Sequence, residues 1–140
     1  MLVSPYLHFN GRCDEAIEFY KAALGAEVTM LMRFKDAPKE AQAGMTPGSE
    51  NKVMHANLKV GDTAMLLSDG HCTGQLAFEG FSLSLTVATV AEADKYFAAL
   101  SAGGQVQMPL GPTFFSPKFG MLADKFGVGW MVYVAPPGAK

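Results

Sequence analysis

The helix pattern Glu-Ala-x-x-aromatic-aromatic occurs twice in this chain. Its first copy is Glu15-Ala16-x-x-Phe19-Tyr20, and its second copy is Glu92-Ala93-x-x-Tyr96-Phe97. The offset of 77 residues from Glu15 to Glu92 is about half of the 140-residue chain. In both copies a small-residue turn and a strand pattern follow the helix. A repeat at half the chain length indicates a duplicated module, so the fold must be one that two similar halves can build.

Hydrophobic periodicity predicts the same order of elements in each half: a strand, a helix and three further strands. Gly25 is the expected stop of the first helix, Gly61-Asp62 joins two alternating runs as a hairpin, and Thr89 with Glu92 forms a capping box. The first half is predicted to contain a helix at Cys13–Leu24 and strands at Tyr6–Phe9, Glu27–Phe34, Val53–Val60 and Thr63–Ser68. The second half is predicted to contain a helix at Val90–Ser101 and strands at Phe81–Val87, Gln105–Leu110, Phe119–Ala123 and Val128–Ala135.

These elements predict one α+β domain over residues 1–140. The first module covers about 1–69, a glycine-rich linker covers 70–80, and the second module covers about 81–135. Residues 35–51 form a long segment without periodicity, with a helical turn expected near Pro38–Ala41. Such a segment is either a binding loop or an exposed insertion, and the sequence favours neither.

Composition excludes several classes of function. Charged residues make up 17% of the chain, and the net charge is −2 with acids and bases interspersed. No basic patch for nucleic acid or for a membrane surface is present. We expect no membrane span, because no apolar run is long enough, and no signal peptide at the N-terminus. The two cysteines form neither a disulfide framework nor a metal motif, so we expect a reduced cytoplasmic location.

Several stretches together resemble one protein superfamily. They are Pro5-Tyr6-Leu7-His8-Phe9, Ala16-Ile17-Glu18-Phe19-Tyr20, His55-Ala56-Asn57-Leu58, Ser68-Asp69 and Phe119-Gly120-x-x-x-Asp124-x-Phe126-Gly127-x-x-Trp130. The last motif is the most specific. Together they resemble the PhnB-like branch of the vicinal oxygen chelate superfamily, which includes glyoxalase I, bleomycin-resistance proteins and extradiol dioxygenases. The resemblance covers nearly the whole chain.

The resemblance implies two βαβββ modules whose mixed sheets curl around a cavity, and it implies a homodimer. Relatives that need a metal place one ligand on each of four strands. Those places correspond here to Ser4 or Tyr6, to Leu66 or Leu67, to Ser82 and to a position near Met131. None is His, Asp or Glu, which a divalent ion requires in combination. We therefore predict no metal and no other cofactor.

The branch sometimes carries the name of a methyltransferase. A methyltransferase of the usual kind binds S-adenosylmethionine at a glycine-rich turn between a strand and a helix, in a doubly wound sheet. The sequence shows neither that turn nor that order of elements, so the name has little weight in the interpretation.

Three polar side chains of the first module are candidates for chemistry. His8 lies beside Tyr6 on the polar face of the first strand, and we expect the two to form a donor–acceptor pair near the cavity. Either His8 or His55 could act as a general base, or each could be a structural histidine. With Asp69 as a third ligand, His8 and His55 could instead hold a divalent metal at a displaced site. Asp69 alone is also a typical turn-stabilising residue, as is Asp124.

The second module offers hydroxyls and aromatic rings. Ser82, Ser84 and Thr86 alternate with apolar residues, and their face lines the cavity if it points away from the helix. The remaining candidate ligand-binding residues are large and apolar: Phe114, Phe119, Trp130 and Met131. Trp130 could equally belong to the core.

Three functions fit these features. The first is a protein that binds a small, partly apolar molecule without a metal. The second is a lyase or isomerase of the same fold that uses His8 or His55 as a base or holds a displaced metal. The third is a dimerisation or scaffold module without a ligand, which the long segment at residues 35–51 and the polar face of the sheet disfavour. The sequence names no ligand.

Overall fold

A computed structural model of the chain describes residues 1–38, 50–69 and 77–136. The chain divides into two compact units, Met1–Leu76 and Ala77–Lys140, which are treated separately below. The helical turn predicted near Pro38–Ala41 lies largely outside the described residues, as does most of the predicted linker. No helix in the described part of the chain has the length and apolar character needed to cross a membrane.

The N-terminal unit is a four-stranded mixed sheet with one α-helix. The spatial order of its strands is β1-β4-β3-β2, with β1 parallel to β4 and the other neighbours antiparallel. Its elements are β1 (Tyr6–His8), α1 (Cys13–Leu24), β2 (Glu27–Arg33), a 3₁₀ turn (Phe34–Asp36), β3 (Val53–Val60) and β4 (Thr63–Ser68).

One face of this sheet forms the core with α1. The helix buries a stripe that includes Ala16, Ile17 and Tyr20, and it packs against β3. Alternate strand residues such as Leu7 and Leu67, which are register partners, are buried on the same side. The other residues of each strand therefore face away from the helix, and we call their surface the N-terminal open face.

Asp69 ties the start of α1 to the sheet. Its Oδ1 accepts hydrogen bonds from the backbone N–H groups of Gly11, at 2.7 Å, and Cys13, at 3.0 Å. Its Oδ2 accepts from the N–H of Val53 at 3.2 Å. The residue that precedes the helix, Arg12, offers no side-chain cap of its own. A carboxylate at a helix N-terminus is stabilising because it meets unpaired N–H groups and the positive end of the helix dipole.

The C-terminal unit repeats this plan. The spatial order is β5-β8-β7-β6, with β5 parallel to β8 and the other neighbours antiparallel. Its elements are β5 (Leu83–Val87), α2 (Val90–Ser101), β6 (Gln105–Gly111), β7 (Phe119–Ala123) and β8 (Gly129–Val134).

The helix α2 covers one face of the second sheet. Phe97 and Leu100 from α2 are buried together with Trp130 and Val132 from β8. Gly120 of β7 is needed here, because a Cβ at this position would lie 2.8 Å from the Phe97 ring. The alternate residues of the strands again face away from the helix, and we call their surface the C-terminal open face.

A buried aspartate organises the turn between β7 and β8. Asp124 Oδ1 accepts from the N–H groups of Phe126, at 2.9 Å, and Val128, at 3.1 Å, while Oδ2 accepts from the indole N–H of Trp130 at 2.9 Å. Gly127 supplies a φ of +90°, which side chains rarely adopt. The residues of the most specific family motif therefore build this turn and its tryptophan anchor.

The strands β2 and β6 each lie at one edge of their own sheet. Each pairs with its neighbouring strand in an irregular register. In β2 the register shifts between Val28 and Met30 and again near Arg33. In β6 it shifts on both sides of Met108. Such bulges bend and twist a strand locally.

An ion pair joins α1 to β2. The Arg33 guanidinium binds Asp14 through both terminal nitrogens, at 2.8 and 2.9 Å. The hydrogen bond from Arg33 holds the pKa of Asp14 below its ordinary value of 3.8. Bidentate geometry makes this pair stronger than an ordinary surface contact.

The predicted fold class, α+β with two βαβββ modules, is confirmed. The bounds of both helices and of β3, β4 and β7 agree with the sequence prediction. The largest difference is at β5, which begins at Leu83 although the apolar alternation begins at Phe81. Leu83 pairs with Trp130 near the start of β8, so the partner strand sets the start of the ladder.

We expect Asp124→Asn to lower the free energy of unfolding by about 1–3 kcal/mol. An amide has only one acceptor oxygen, so its NH₂ group must face one of three buried N–H donors. Urea unfolding monitored by fluorescence of Trp130, the single tryptophan, measures the loss. The exposed turn variant Asp62→Asn is the matched control and should change stability by less than about 0.5 kcal/mol. Equal effects of the two variants would contradict a central role for Asp124.

We expect the Asp14–Arg33 pair to stabilise the fold by at most about 1 kcal/mol, because both side chains are partly exposed. The folded pKa of Asp14 is lowered, so this contribution is present above pH 3.8 and is lost as the pH falls through the folded pKa. Urea unfolding of wild type and Asp14→Asn from neutral to strongly acid pH should show two curves that converge in acid. If the difference in the free energy of unfolding between wild type and Asp14→Asn stayed constant through the acid range, ionisation of Asp14 would not be the source of the stabilisation.

Candidate functional site

The N-terminal open face carries a row of polar side chains that spans three strands. Strand register places Tyr6 of β1 opposite Leu66 of β4, and Leu66 opposite Asn57 of β3. His55 lies two residues before Asn57 on β3. Tyr6 is exposed, and the other side chains are half-buried. The row is therefore accessible to solvent, while part of each half-buried side chain packs against its neighbours.

Three of these side chains form a continuous hydrogen-bonded chain. The Tyr6 hydroxyl lies 3.0 Å from Nδ1 of His55, and Nε2 of His55 lies 2.8 Å from Oδ1 of Asn57. Both ring nitrogens of His55 are therefore engaged. We call Tyr6, His55 and Asn57 the polar relay.

Tyr6 reaches His55 by crossing β4, which lies between their strands in the sheet. The long phenol side chain makes this possible, and β4 offers little obstruction. Ser68 of β4 is small and buried, and its hydroxyl turns away to donate to the Met54 carbonyl at 2.7 Å. The relay thus depends on a large side chain, Tyr6, on the edge strand β1 and on a small side chain, Ser68, on the strand that Tyr6 crosses.

His8 supports the relay through its ring. The centroids of the Tyr6 and His8 rings are 4.9 Å apart, and those of Tyr6 and His55 are 5.5 Å apart. The sequence predicts a donor–acceptor pair between Tyr6 and His8. The hydroxyl of Tyr6 bonds to His55, whereas His8 contacts Tyr6 by ring packing. His55 has an orienting hydrogen-bond partner in Asn57.

Methionines from the edge strand flank the relay. Met30 of β2 is the register partner of Asn57, and Met32 is the register partner of His55. Met30 is exposed and Met32 is half-buried. Flexible thioether side chains adapt to apolar ligands and pack well against aromatic rings. The face therefore combines the polar relay with flexible apolar side chains on the neighbouring strand. We call these side chains, Met30 and Met32, the apolar margin.

The relay has the arrangement of a general base that a third residue orients. A neutral histidine carries one N–H, and an amide oxygen that accepts it fixes the tautomer. A ring held in this way can take a proton from the tyrosine hydroxyl, or from a ligand by way of that hydroxyl.

The C-terminal open face carries the predicted hydroxyl row beside a cluster of large side chains. Ser84 pairs with Met131, and Thr86 pairs with Tyr133. Ser82 precedes β5 and lies against Gly129, where a Cβ would be 3.1 Å from its hydroxyl oxygen. Met121 of β7 is the register partner of Met131. All three predicted hydroxyl residues are exposed.

Two of the predicted aromatic residues, Phe114 and Phe119, lie with Phe115 at the end of the same face. The rings of Phe115 and Phe119 are 5.1 Å apart, and Phe115 stacks on Tyr133 with centroids 6.1 Å apart. Phe114 contacts Phe115 at 5.1 Å and is otherwise fully exposed. Phe114 is therefore the member of this group that solvent surrounds, while Phe119 is buried beneath Phe115.

Two candidate residues have structural partners. Trp130 lies on the helix-facing side of β8 with 3% of its surface exposed, and its N–H is bonded to Asp124. Asp69 uses both carboxylate oxygens on backbone N–H groups. The sequence left open whether Trp130 belongs to the core and whether Asp69 stabilises a turn. These structural roles account for the contacts of both residues without a ligand.

The residues at the metal positions of the superfamily do not fit a divalent ion. Tyr6 is a phenol bonded to His55, Leu66 is aliphatic, Ser82 offers a hydroxyl and Met131 a thioether. Such a set lacks the charged and imidazole ligands that zinc or iron requires. In residues 1–38, 50–69 and 77–136, no three His, Cys, Asp or Glu side chains gather as metal ligands.

Sequence reasoning missed several residues of the open faces, among them Asn57, Met30, Met32 and Tyr133. Asn57 had a visible signal, because it alternates with His55 on one strand. The methionines belong to β2, whose bulge at Thr29 breaks the alternation that would have assigned them to a face. Tyr133 shares its face with the predicted Met131, so alternation along β8 could have found it.

Comparison with known proteins identifies close relatives of this chain. Residues 2–133 match the family described as 3-demethylubiquinone-9 3-methyltransferase. The protein YjdN from Escherichia coli K12 is 36% identical over 140 residues, covering 96% of this chain and 95% of its own. The crystal structure of PA1353 from Pseudomonas aeruginosa is 43% identical with a TM-score of 0.81, covering 96% of this chain and 98% of that one.

Two further structures connect the family to its fold. The PhnB protein from Bacillus cereus is 30% identical with a TM-score of 0.78, covering 96% of this chain and all of its own. The glyoxylase/bleomycin resistance protein/dioxygenase domain from Frankia sp. EAN1pec has a TM-score of 0.68 at 16% identity, covering 99% and 94%, and shows the fold alone. The chain therefore belongs to the 3-demethylubiquinone-9 3-methyltransferase family, a PhnB-like branch of the glyoxalase/bleomycin resistance/dioxygenase fold.

Proposed function

We propose that this protein binds a small, partly apolar molecule on the open faces of its sheets. The observation that carries the proposal is the polar relay, a hydrogen-bonded line of Tyr6, His55 and Asn57 on a solvent-accessible sheet face. A line of polar groups with an apolar margin is the usual composition of a small-molecule site.

The N-terminal open face supports the proposal through its exposed apolar residues. Met30 is 39% exposed, and Met32 and Leu66 are half-buried beside the relay. Leu66 lies between Tyr6 and Asn57 in the strand register, at the centre of the face. An apolar ligand body that covers these side chains would remove their surface from water, which favours binding.

The C-terminal open face offers a second surface of similar character. Ser84 and Thr86 supply hydroxyls that can donate or accept, and Met131 and Tyr133 stand beside them. Phe114 and Phe115 extend this surface at its end. Exposed aromatic side chains of this kind commonly cover a ligand or pack on a partner.

The family description names a methyl transfer, and we do not extend it to this chain. Methyltransferases of the usual kind bind their cofactor at the carboxyl ends of a doubly wound parallel sheet. Both sheets here are mixed and carry one helix each. The N-terminus of α1, where such a cofactor would meet a glycine-rich turn, is bonded to Asp69.

We expect a thermal-shift screen of small aromatic and oxygenated metabolites to yield compounds that raise the melting temperature by several degrees. A compound at 100 times its Kd stabilises the native state by about 2.7 kcal/mol. The shift should disappear in Leu66→Glu, because a carboxylate at the centre of the N-terminal open face replaces its apolar contact surface.

The control for this substitution is Val90→Glu, which places the same charge on an exposed apolar residue of α2. This variant should keep the shift. If no compound in a large library raised the melting temperature, or if Leu66→Glu kept every shift, binding at this face would be ruled out as the function.

A second candidate function is a lyase or isomerase that uses His55 as its base. The hydrogen bond from His55 Nε2 to Asn57, at 2.8 Å, supports this role, because an orienting partner fixes the tautomer. The reaction class would be proton abstraction from a small oxygenated substrate bound beside Tyr6.

For any substrate that the protein turns over, we expect His55→Gln to reduce kcat by about a hundredfold to ten-thousandfold, as the loss of a general base does. His8→Gln should have a smaller effect, since His8 contacts Tyr6 through its ring. Steady-state kinetics of both variants measure the difference. Unchanged turnover in His55→Gln would eliminate the base role.

A further inference from the structure

We propose that the polar relay makes the N-terminal open face a receptor for hydroxyl compounds, phenols above all, and that it takes up the proton of those phenols that are about as acidic as an imidazolium. This inference rests on the proposed function, because it names the class of ligand for the same face. It follows from the direction of the hydrogen bonds in the relay and from the apolar residues beside it.

The direction of the relay is set at Asn57. Its Oδ1, 2.8 Å from Nε2 of His55, can only accept a hydrogen bond, so Nε2 carries the proton. A neutral imidazole has a single N–H, which leaves Nδ1 as an acceptor. The Tyr6 hydroxyl, 3.0 Å from Nδ1, must therefore donate to it.

This direction determines what Tyr6 presents to a ligand. The only hydrogen of its hydroxyl points to His55, so the oxygen faces solvent with its lone pairs. A ligand O–H can donate to these lone pairs. While His55 is neutral, a ketone or an ether has only acceptors at this point and would meet no donor. The face therefore selects a ligand that brings its own hydrogen.

The relay can then move that proton while each of its hydrogen-bonded contacts is kept. The ligand O–H bond breaks as its proton joins the Tyr6 oxygen, and the former Tyr6 proton passes to Nδ1 of His55. The products are a phenolate, a neutral tyrosine and an imidazolium. Nδ1–H now donates to Tyr6, Nε2–H still donates to Asn57, and the Tyr6 hydroxyl donates to the phenolate. Every polar group keeps a partner in both states, and charge is conserved.

The imidazolium that forms in this step is the cation within the relay that can balance the bound anion. Lys59 of β3 lies opposite Glu27 of β2 in the strand register. Arg33 is bound to Asp14, and the Asp69 carboxylate is occupied by backbone N–H groups. His8 is the remaining titratable ring that faces Tyr6.

The apolar margin favours phenols among weak acids. Met30 and Met32 flank Asn57 and His55 on the neighbouring strand. A thioether gains a favourable contact with the edge of an aromatic ring. An aromatic ring bound with its hydroxyl at Tyr6 would extend along the row toward these methionines.

The test uses 4-nitrophenol, whose phenolate absorbs at longer wavelength than the phenol, and its methyl ether 4-nitroanisole, which has no O–H. We expect the protein to bind 4-nitrophenol at least about tenfold more tightly than the ether and to raise its phenolate absorbance. Tyr6→Phe keeps the ring contacts but removes the hydroxyl. It should weaken binding of 4-nitrophenol by between about tenfold and about a hundredfold and leave binding of the ether unchanged. Tyr96→Phe on α2 is the matched control and should behave as wild type.

A second measurement needs no ligand. ¹⁵N–¹H correlation spectra of histidine-labelled protein report which nitrogen of His55 carries the proton. We expect the Nε2–H form, and loss of that preference in Asn57→Ala. The Nδ1–H form in wild type would overturn the inference, as would equal binding of phenol and ether, while the proposed function would survive both results. Binding of neither compound would also overturn the inference, whereas the proposed function is tested by the library screen and by Leu66→Glu.

Discussion

Each sheet of this protein is covered by one helix on one side, and the position of every candidate ligand group follows from that constraint. A four-stranded sheet with a single helix can bury only alternate residues of its strands. In the N-terminal unit Leu7 and Leu67 are buried against the helix layer, which leaves Tyr6, Leu66 and Asn57 on the other side. In the C-terminal unit the buried Trp130 and Val132 leave Met131 and Tyr133 on the open face. The polar relay and the hydroxyl row are the side chains that the core does not use.

The family motif near the C-terminus serves the core rather than the site. Gly120 admits Phe97, Gly127 allows the turn, and Asp124 satisfies three N–H groups, one of them from Trp130. A buried carboxylate with this many donors is costly to replace, because removing it leaves several groups unsatisfied at once. The motif thus serves the fold, whereas the relay lies on the open face, where a ligand could reach it.

Local signals explain how much of the structure could be predicted from the sequence. Gly25 adopts the left-handed conformation that ends α1, and the Thr89 hydroxyl accepts from the N–H of Glu92 at the start of α2, so both helices were predictable. Trp130 and Met131 are neighbours on one strand and must face opposite sides of the sheet. Alternation alone could not decide which of them lies in the core and which on the open face. The partner of Tyr6 was also beyond local reasoning. His55 is 49 residues away and two strands across the sheet, and only strand order brings the two together.

The irregular edge strands have a consequence for how this chain can meet other chains. A regular exposed strand is a template on which a foreign strand can extend the sheet, and proteins suppress this with bulges and proline. β2 and β6 both have interrupted registers, and β6 also contains Pro109, which has no N–H to offer a neighbour. Backbone pairing along these edges is therefore discouraged. Any association through β2 or β6 would therefore have to rely on side-chain packing, which makes it selective.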